Sequence, residues 1–267
     1  LLDKEYQKTR LNLKEKLLAL SALQDQLRNC QQCRLALTRN KALAGEGNAD
    51  SRLLLIALAP GEKEDQEGRM FIGPSGPILD ELLQAAALTR DKIYMTNLVK
   101  CRLPKNRRPK QDEIDACRPF LDQEIGIIAP AVLVPLGYYA TRAILQTYQA
   151  PHPAARAEFR ELYGQLRLVP HQKIYPLPHP SALLYNREFK PASLKMSEKL
   201  AVFARPCKWF PLCPMRRFYE QGKLNPFWVE YYCQGDWQSC IRYQMEERGE
   251  YHADTMLPDG SYLEMST

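Results

Sequence analysis

Nothing in this 267-residue sequence approaches the roughly 18 to 20 consecutive apolar residues that a membrane-spanning helix needs. No charged, apolar and small-residue series marks a signal peptide, and there is neither an internal repeat nor a low-complexity tract. A cytoplasmic protein without a membrane partner is expected. The formal charge of +6 is too mild to name a partner by itself, so local clustering must decide whether nucleic acid is bound. Eight cysteines without a secretion signal favour metal ligands or buried thiols over disulfides.

What is present is a series of strands and helices. Leu53 to Ile56 form a continuous apolar run, suited to a parallel strand buried on both faces, and Pro60-Gly61 ends it. IYMTNLV from Ile93, AVLVPLG from Ala131 and the short QLRLVP and KIYPLP segments read as further strands. Helices are predicted over residues 3–29, 77–88, 111–128, 139–148 and 191–204. This alternation predicts an α/β three-layer sandwich around a mostly parallel four-stranded sheet, filling residues 1–205. In such a fold the loop from Glu62 to Gly76 leaves the carboxyl end of a strand, where ligands bind. Residues 206–267 are aromatic and cysteine-rich with few aliphatics, and are expected to need a metal or a docking surface to fold.

Cys30-x2-Cys33, Cys101 and Cys117 make one quartet; Cys207, Cys213, Cys233 and Cys240 make another. By spacing, the first holds zinc or an iron-sulfur cluster, or else Cys101 and Cys117 are ordinary buried thiols beside an unrelated CxxC. The second favours an iron-sulfur cluster, with zinc and a metal-free aromatic core as alternatives. Between Lys100 and Lys110 stand Lys100, Arg102, Lys105, Arg107 and Arg108 without one acid, so the loop either contacts phosphates or is a solvated basic turn. Asn97, at a buried strand end, offers an amide to a flat heterocycle or caps the next loop. His179, held between two prolines, is a catalyst or a structural hydrogen bonder. In the tail, Lys208, Arg216 and Arg217 with nearby aromatics either widen a nucleic-acid surface or form a solvated face.

Together PGEKEDQEGRMFIGPSG, TNLVKCRLPKNRRP, EIDACRPFL and HPSALL resemble the uracil-DNA glycosylase superfamily, and its iron-sulfur family 4 in particular, over roughly residues 25–200. The resemblance implies a 4Fe-4S cluster on Cys30, Cys33, Cys101 and Cys117, and hydrolysis of the bond between a deaminated base and deoxyribose after base flipping. It implies that Phe71 stacks on the base, that Asn97 reads its edge, and that His179 stabilises the departing anion. Ser181 and the wedge Leu183 join the basic loop on DNA, single- or double-stranded, and a monomer is expected. Where family 4 has a Glu that activates water, this chain has Leu58, as in the Leu-Ala-Pro-Gly of family 5; Asp65 or its neighbour Glu64 then orders the water, or caps the loop. Two alternatives are a nucleic-acid-binding protein that has lost catalysis, and an enzyme acting on another modified base or on RNA.

Overall fold

The sheet of the computed structural model, which describes residues 11–170 and 172–263, consists of β1 (Glu46–Gly47), β2 (Leu53–Ala57), β3 (Tyr94–Asn97), β4 (Val132–Pro135), β5 (Arg167–Val169) and β6 (Gln172–Ile174). Their spatial order is β1-β3-β2-β4-β6-β5. Parallel partners flank β2 on both sides, and all five of its residues are buried. With β4 pairing to β6, a four-stranded parallel core results, as the apolar runs predict. Two antiparallel edges extend it. The edge strand Glu46–Gly47 has no apolar run to announce it; only pairing to β3 makes it a strand.

Helices α1 (Leu13–Arg28), α2 (Glu62–Glu67), α3 (Ser75–Ala85), α4 (Gln111–Ile128), α5 (Gly137–Thr147), α6 (Pro180–Tyr185) and α7 (Lys190–Phe203) connect and cover the strands. Residues 3–10 of the expected first helix lie outside the described residues. Asn12 accepts from the Glu15 N–H at 3.0 Å while the Glu15 carboxylate returns to the Asn12 N–H at 2.7 Å, a capping box that fixes where α1 begins. Only its second half buries leucines, Leu23 and Leu27; Leu13, Leu17 and Leu18 are exposed. The first half is anchored instead by Lys16, whose ammonium donates to the carbonyls of Ala49 and Ile128 and to Asp50. Among the described residues no helix is long and apolar enough to cross a membrane.

The chain divides into two compact units at Glu198/Lys199, inside α7, whereas composition changes only after residue 205. Backbone and side-chain bonds explain the earlier boundary. The Trp237 indole donates to the carbonyls of Val202 and Arg205, and Lys199 pairs with Asp236, so the last turn of α7 belongs to the second unit. That unit contains α8 (Pro214–Glu220), a turn at Pro226–Trp228 running into a π-helical turn at Val229–Cys233, and α9 (Ile241–Arg248). Its apolar cluster is small, built on Met215, Phe218, Leu224, Val229 and Leu257.

Candidate active site

Beyond β2 the ladder continues one residue further, with the Val99 N–H donating to the Leu58 carbonyl at 2.9 Å. The loop that follows is tied down by its own acids. Glu64 accepts from the Gly73 N–H at 2.8 Å, and Asp65, fully buried, accepts from the N–H groups of Asn40 and Lys41 and from the Asn40 carboxamide. This corrects the expectation that Asp65 orders water: its two oxygens already have amide donors, so it caps the 40–41 turn.

Clamped this way, the loop delivers Phe71 in an unusual backbone state, φ +52°, which a bulky side chain rarely adopts. Arg90, paired with Asp80, holds it there by donating to the carbonyls of Met70, Phe71 and Gly76. A Cβ at Gly76 would come within 2.1 Å of the Phe71 carbonyl oxygen, so only glycine closes the turn. Strain at a residue over-determined by its surroundings is a mark of functional sites. Neither Arg90 nor Asp80 stands out in the sequence; their value lies in carbonyls they reach across the fold.

His179 caps α6. Its Nδ1 accepts from the Ser181 N–H at 3.1 Å and lies 2.7 Å from the Ser181 hydroxyl. An Nδ1 that accepts a backbone N–H is unprotonated, so the neutral ring carries its proton on Nε2, as a donor free to face a ligand. Burial pushes its pKa down to about 4, which keeps the ring neutral near pH 7. Ser181 is therefore a positioning residue for the imidazole. Gly137 makes room for it: at φ +78° a Cβ would lie 2.9 Å from that of His179. The Gly137 N–H, at the start of α5, also donates to the Leu177 carbonyl, holding the His179 segment against the end of β4.

Phe71 and His179, distant along the chain, are brought together, and Asn97 reaches the residue before Phe71. The Phe71 and His179 rings stack with centroids 6.3 Å apart and an interplanar angle of 29°. Asn97, the buried last residue of β3, donates from Nδ2 to the Met70 sulfur at 3.1 Å, next to Phe71. Leu58 and His179 both line a groove of about 1110 Å³, far larger than one base. Also along it are Arg156 and Arg160, exposed cations with no carboxylate partner among the described residues, and Tyr138, over which Arg156 lies. Their segment lacks a regular period, so sequence alone gave no reason to single them out.

The basic loop is not one surface. Lys100 is fully buried, paired with Glu124 and bonded to the Thr96 hydroxyl at 2.6 Å, which removes it from the expected DNA contacts. Arg107 is engaged by Glu113 and Arg102 by Glu62, both acids distant in sequence or hidden in the next helix. Lys105 and Arg108 remain exposed. Leu183 is 2% exposed and so is not the wedge; the exposed large side chain of α6 is Tyr185, at 85%. In the tail, Lys208, Arg216 and Arg217 are each matched by an acid.

Cys30, Cys33, Cys101 and Cys117 share one apolar cluster beside β3 and α4. Burial, with the repulsion of Cys101 and Cys33, pushes the Cys117 thiol up to about 11, so the sulfurs sense one another. Arg39 donates to the Cys101 sulfur at 3.2 Å and to the Cys30 carbonyl at 2.6 Å. Four soft sulfur donors, an apolar surround and a cation beside them fit an iron-sulfur cluster. In the second unit Cys207, Cys213, Cys233 and Cys240 line a single pocket. Among the described residues no three His, Cys, Asp or Glu side chains close into a site for one metal ion.

Residues 44–201 match the family described as the Uracil DNA glycosylase superfamily. The chain is 33% identical to the Type-4 uracil-DNA glycosylase of Sulfurisphaera tokodaii over 69% of its own length and 86% of the relative's. It is 38% identical to that of Saccharolobus solfataricus, over 62% and 78%, and 35% identical to that of Thermotoga maritima, over 70% and 95%. The stretch from β1 through α7 that builds the groove is the stretch that matches, and the chain belongs to the uracil DNA glycosylase superfamily.

Proposed function

We propose that this protein is a DNA repair glycosylase that hydrolyses the N-glycosidic bond of uracil in DNA. The observation that carries the reading is the stacking of Phe71 on a neutral, Nε2-protonated His179 that lines a large groove, with Asn97 bonded to Met70 beside Phe71. A flipped nucleotide enters that groove, and Phe71 stacks on its base. The Asn97 carboxamide pairs with the base edge, and cytosine, with donors and acceptors reversed, leaves buried groups unpaired. As the glycosidic bond breaks, charge gathers on the departing base, and the His179 Nε2–H donates to it most strongly in the transition state.

No carboxylate activates water from position 58, and Glu64 and Asp65 are both spent on loop bonds. Bond breaking therefore runs ahead of water attack. Arg156 and Arg160 bind phosphates along the groove, and Tyr185 takes the wedge position at the edge of α6. The chain works as a monomer on DNA. Cys30, Cys33, Cys101 and Cys117 hold a 4Fe-4S cluster, which ties the turn after α1 to the loop after β3 and needs to carry no electrons.

An excision assay on uracil-containing single and double strands tests this. Abasic product that disappears in Asn97→Ala and His179→Ala supports it. Tight binding without product, with cleavage appearing in Leu58→Glu, makes the protein a non-catalytic binder instead. Release of hypoxanthine or xanthine, or action on modified RNA, without uracil release moves it to another substrate.

A further inference from the structure

The Arg242 guanidinium is 2% exposed, in a unit with a small core. Its Nη1 donates to the carbonyls of Ala253, Asp254 and Met256, while Nε and Nη2 are buried with no partner among the described residues. A buried cation with donors unmet calls for an anion. The void that Arg242 lines, about 70 Å³, is also lined by Cys207, Cys213, Cys233 and Cys240.

We propose that this void is a second 4Fe-4S site, ligated by those four cysteines, with Arg242 as its buried counter-charge. The ligands come from four separate places: the turn before α8, the residue preceding α8, the end of the π-helical turn, and the residue preceding α9. The Cys207 N–H donates to the Cys233 carbonyl at 2.8 Å, which ties two of the four ligand segments together. Zinc fits less well. Zn–S bonds of about 2.3 Å would draw four sulfurs to within roughly 4 Å of each other and would bring no sulfide to accept from the unmet Arg242 donors. A cubane fills the void, and its sulfides accept from the free Arg242 donors. Loading is a ligand exchange: a preformed 4Fe-4S core carried on four thiolates forms four Fe–S(Cys) bonds here, its four bonds to the carrier thiolates break, the four cysteine protons pass to those departing thiolates, and no electron is transferred. The site is independent of the base-excision reading.

Iron, acid-labile sulfide and zinc are measured on the full chain purified anaerobically. About eight irons and eight sulfides are expected, and a Cys30→Ser/Cys33→Ser variant retains about half. Stoichiometric zinc, or a variant without iron, overturns the proposal. Where that variant does not fold, Cys207→Ser/Cys240→Ser decides: a variant that keeps every iron of the wild type refutes a second cubane. Arg242→Gln should shift the potential of one reduced-cluster signal to a more negative value and Arg242→Lys should restore it; two unmoved signals remove Arg242 from the site.

Discussion

The two units of this chain solve opposite problems with buried charge and buried sulfur. In the first, a parallel sheet supplies enough apolar area to bury Lys100, Glu124, Asp65 and Glu113 and still close around them. In the second, with its short helices, the void that its cysteines line is bordered by Met215 and Phe210 of the apolar cluster. A large core tolerates change at its site, because the fold does not rest on it. A small one is inseparable from its guest. The largest expected effect follows. Stripping iron with an oxidant and a chelator should abolish hydrogen-exchange protection in residues 206–263 while β2, β3 and β4 keep theirs. Equal loss in both units, or none in the second, would break the contrast.

Within the first unit the contrast is tested at Lys100. Lys100→Met leaves Glu124 without its counter-charge in the core, held only by the Gly45 N–H and the Thr96 hydroxyl, and should cost about 3–5 kcal/mol in denaturant unfolding. Adding Glu124→Leu should recover most of it. A mild effect, with DNA affinity falling instead, would return Lys100 to the nucleic-acid surface.

Next in size is the chemistry. His179→Ala should lower kcat/KM for uracil excision by about 10²–10³, the usual loss of one donor to a developing anion, while the melting temperature changes little. Because burial holds the His179 pKa at about 4, below its ordinary 6.5, its protonation should not limit activity between pH 5 and 8. The sign for stability is the same: its contribution is complete above about pH 6.5 and is lost as pH falls toward 4. An activity midpoint near 6.5 that vanishes in His179→Ala would contradict a neutral donor.

How far the sequence reached depended on the range of each interaction. The buried strands were legible because their apolar runs are local, and so was the approach of the Phe71 loop to His179, because strand ends share one rim of a parallel sheet. Charge was not. A run of basic residues reads alike whether its partner is water, phosphate or a carboxylate brought in by another element; Glu124 took Lys100 and Glu113 took Arg107. Leu183 matched a motif position, yet the turn of α6 faces it inward and leaves Tyr185 outside. Arg156 and Arg160 were missed for the complementary reason: no local pattern marks a cation that comes to line a groove built with distant elements.

Those two arginines supply the smallest and most specific test. An exposed cation that meets a phosphate releases counterions, so its removal changes the salt dependence of binding more than the stability of the fold. Arg156→Ala and Arg160→Ala should each flatten the plot of log K against log salt by about 0.7–0.9 per lost phosphate contact. Lys100→Met should leave that slope unchanged, since its ammonium is already neutralised inside the core. Lys105→Ala and Arg108→Ala probe the exposed remainder of the basic loop, away from the groove lining. If these two, and not the groove arginines, carry the slope, DNA follows the loop and the groove is not its path.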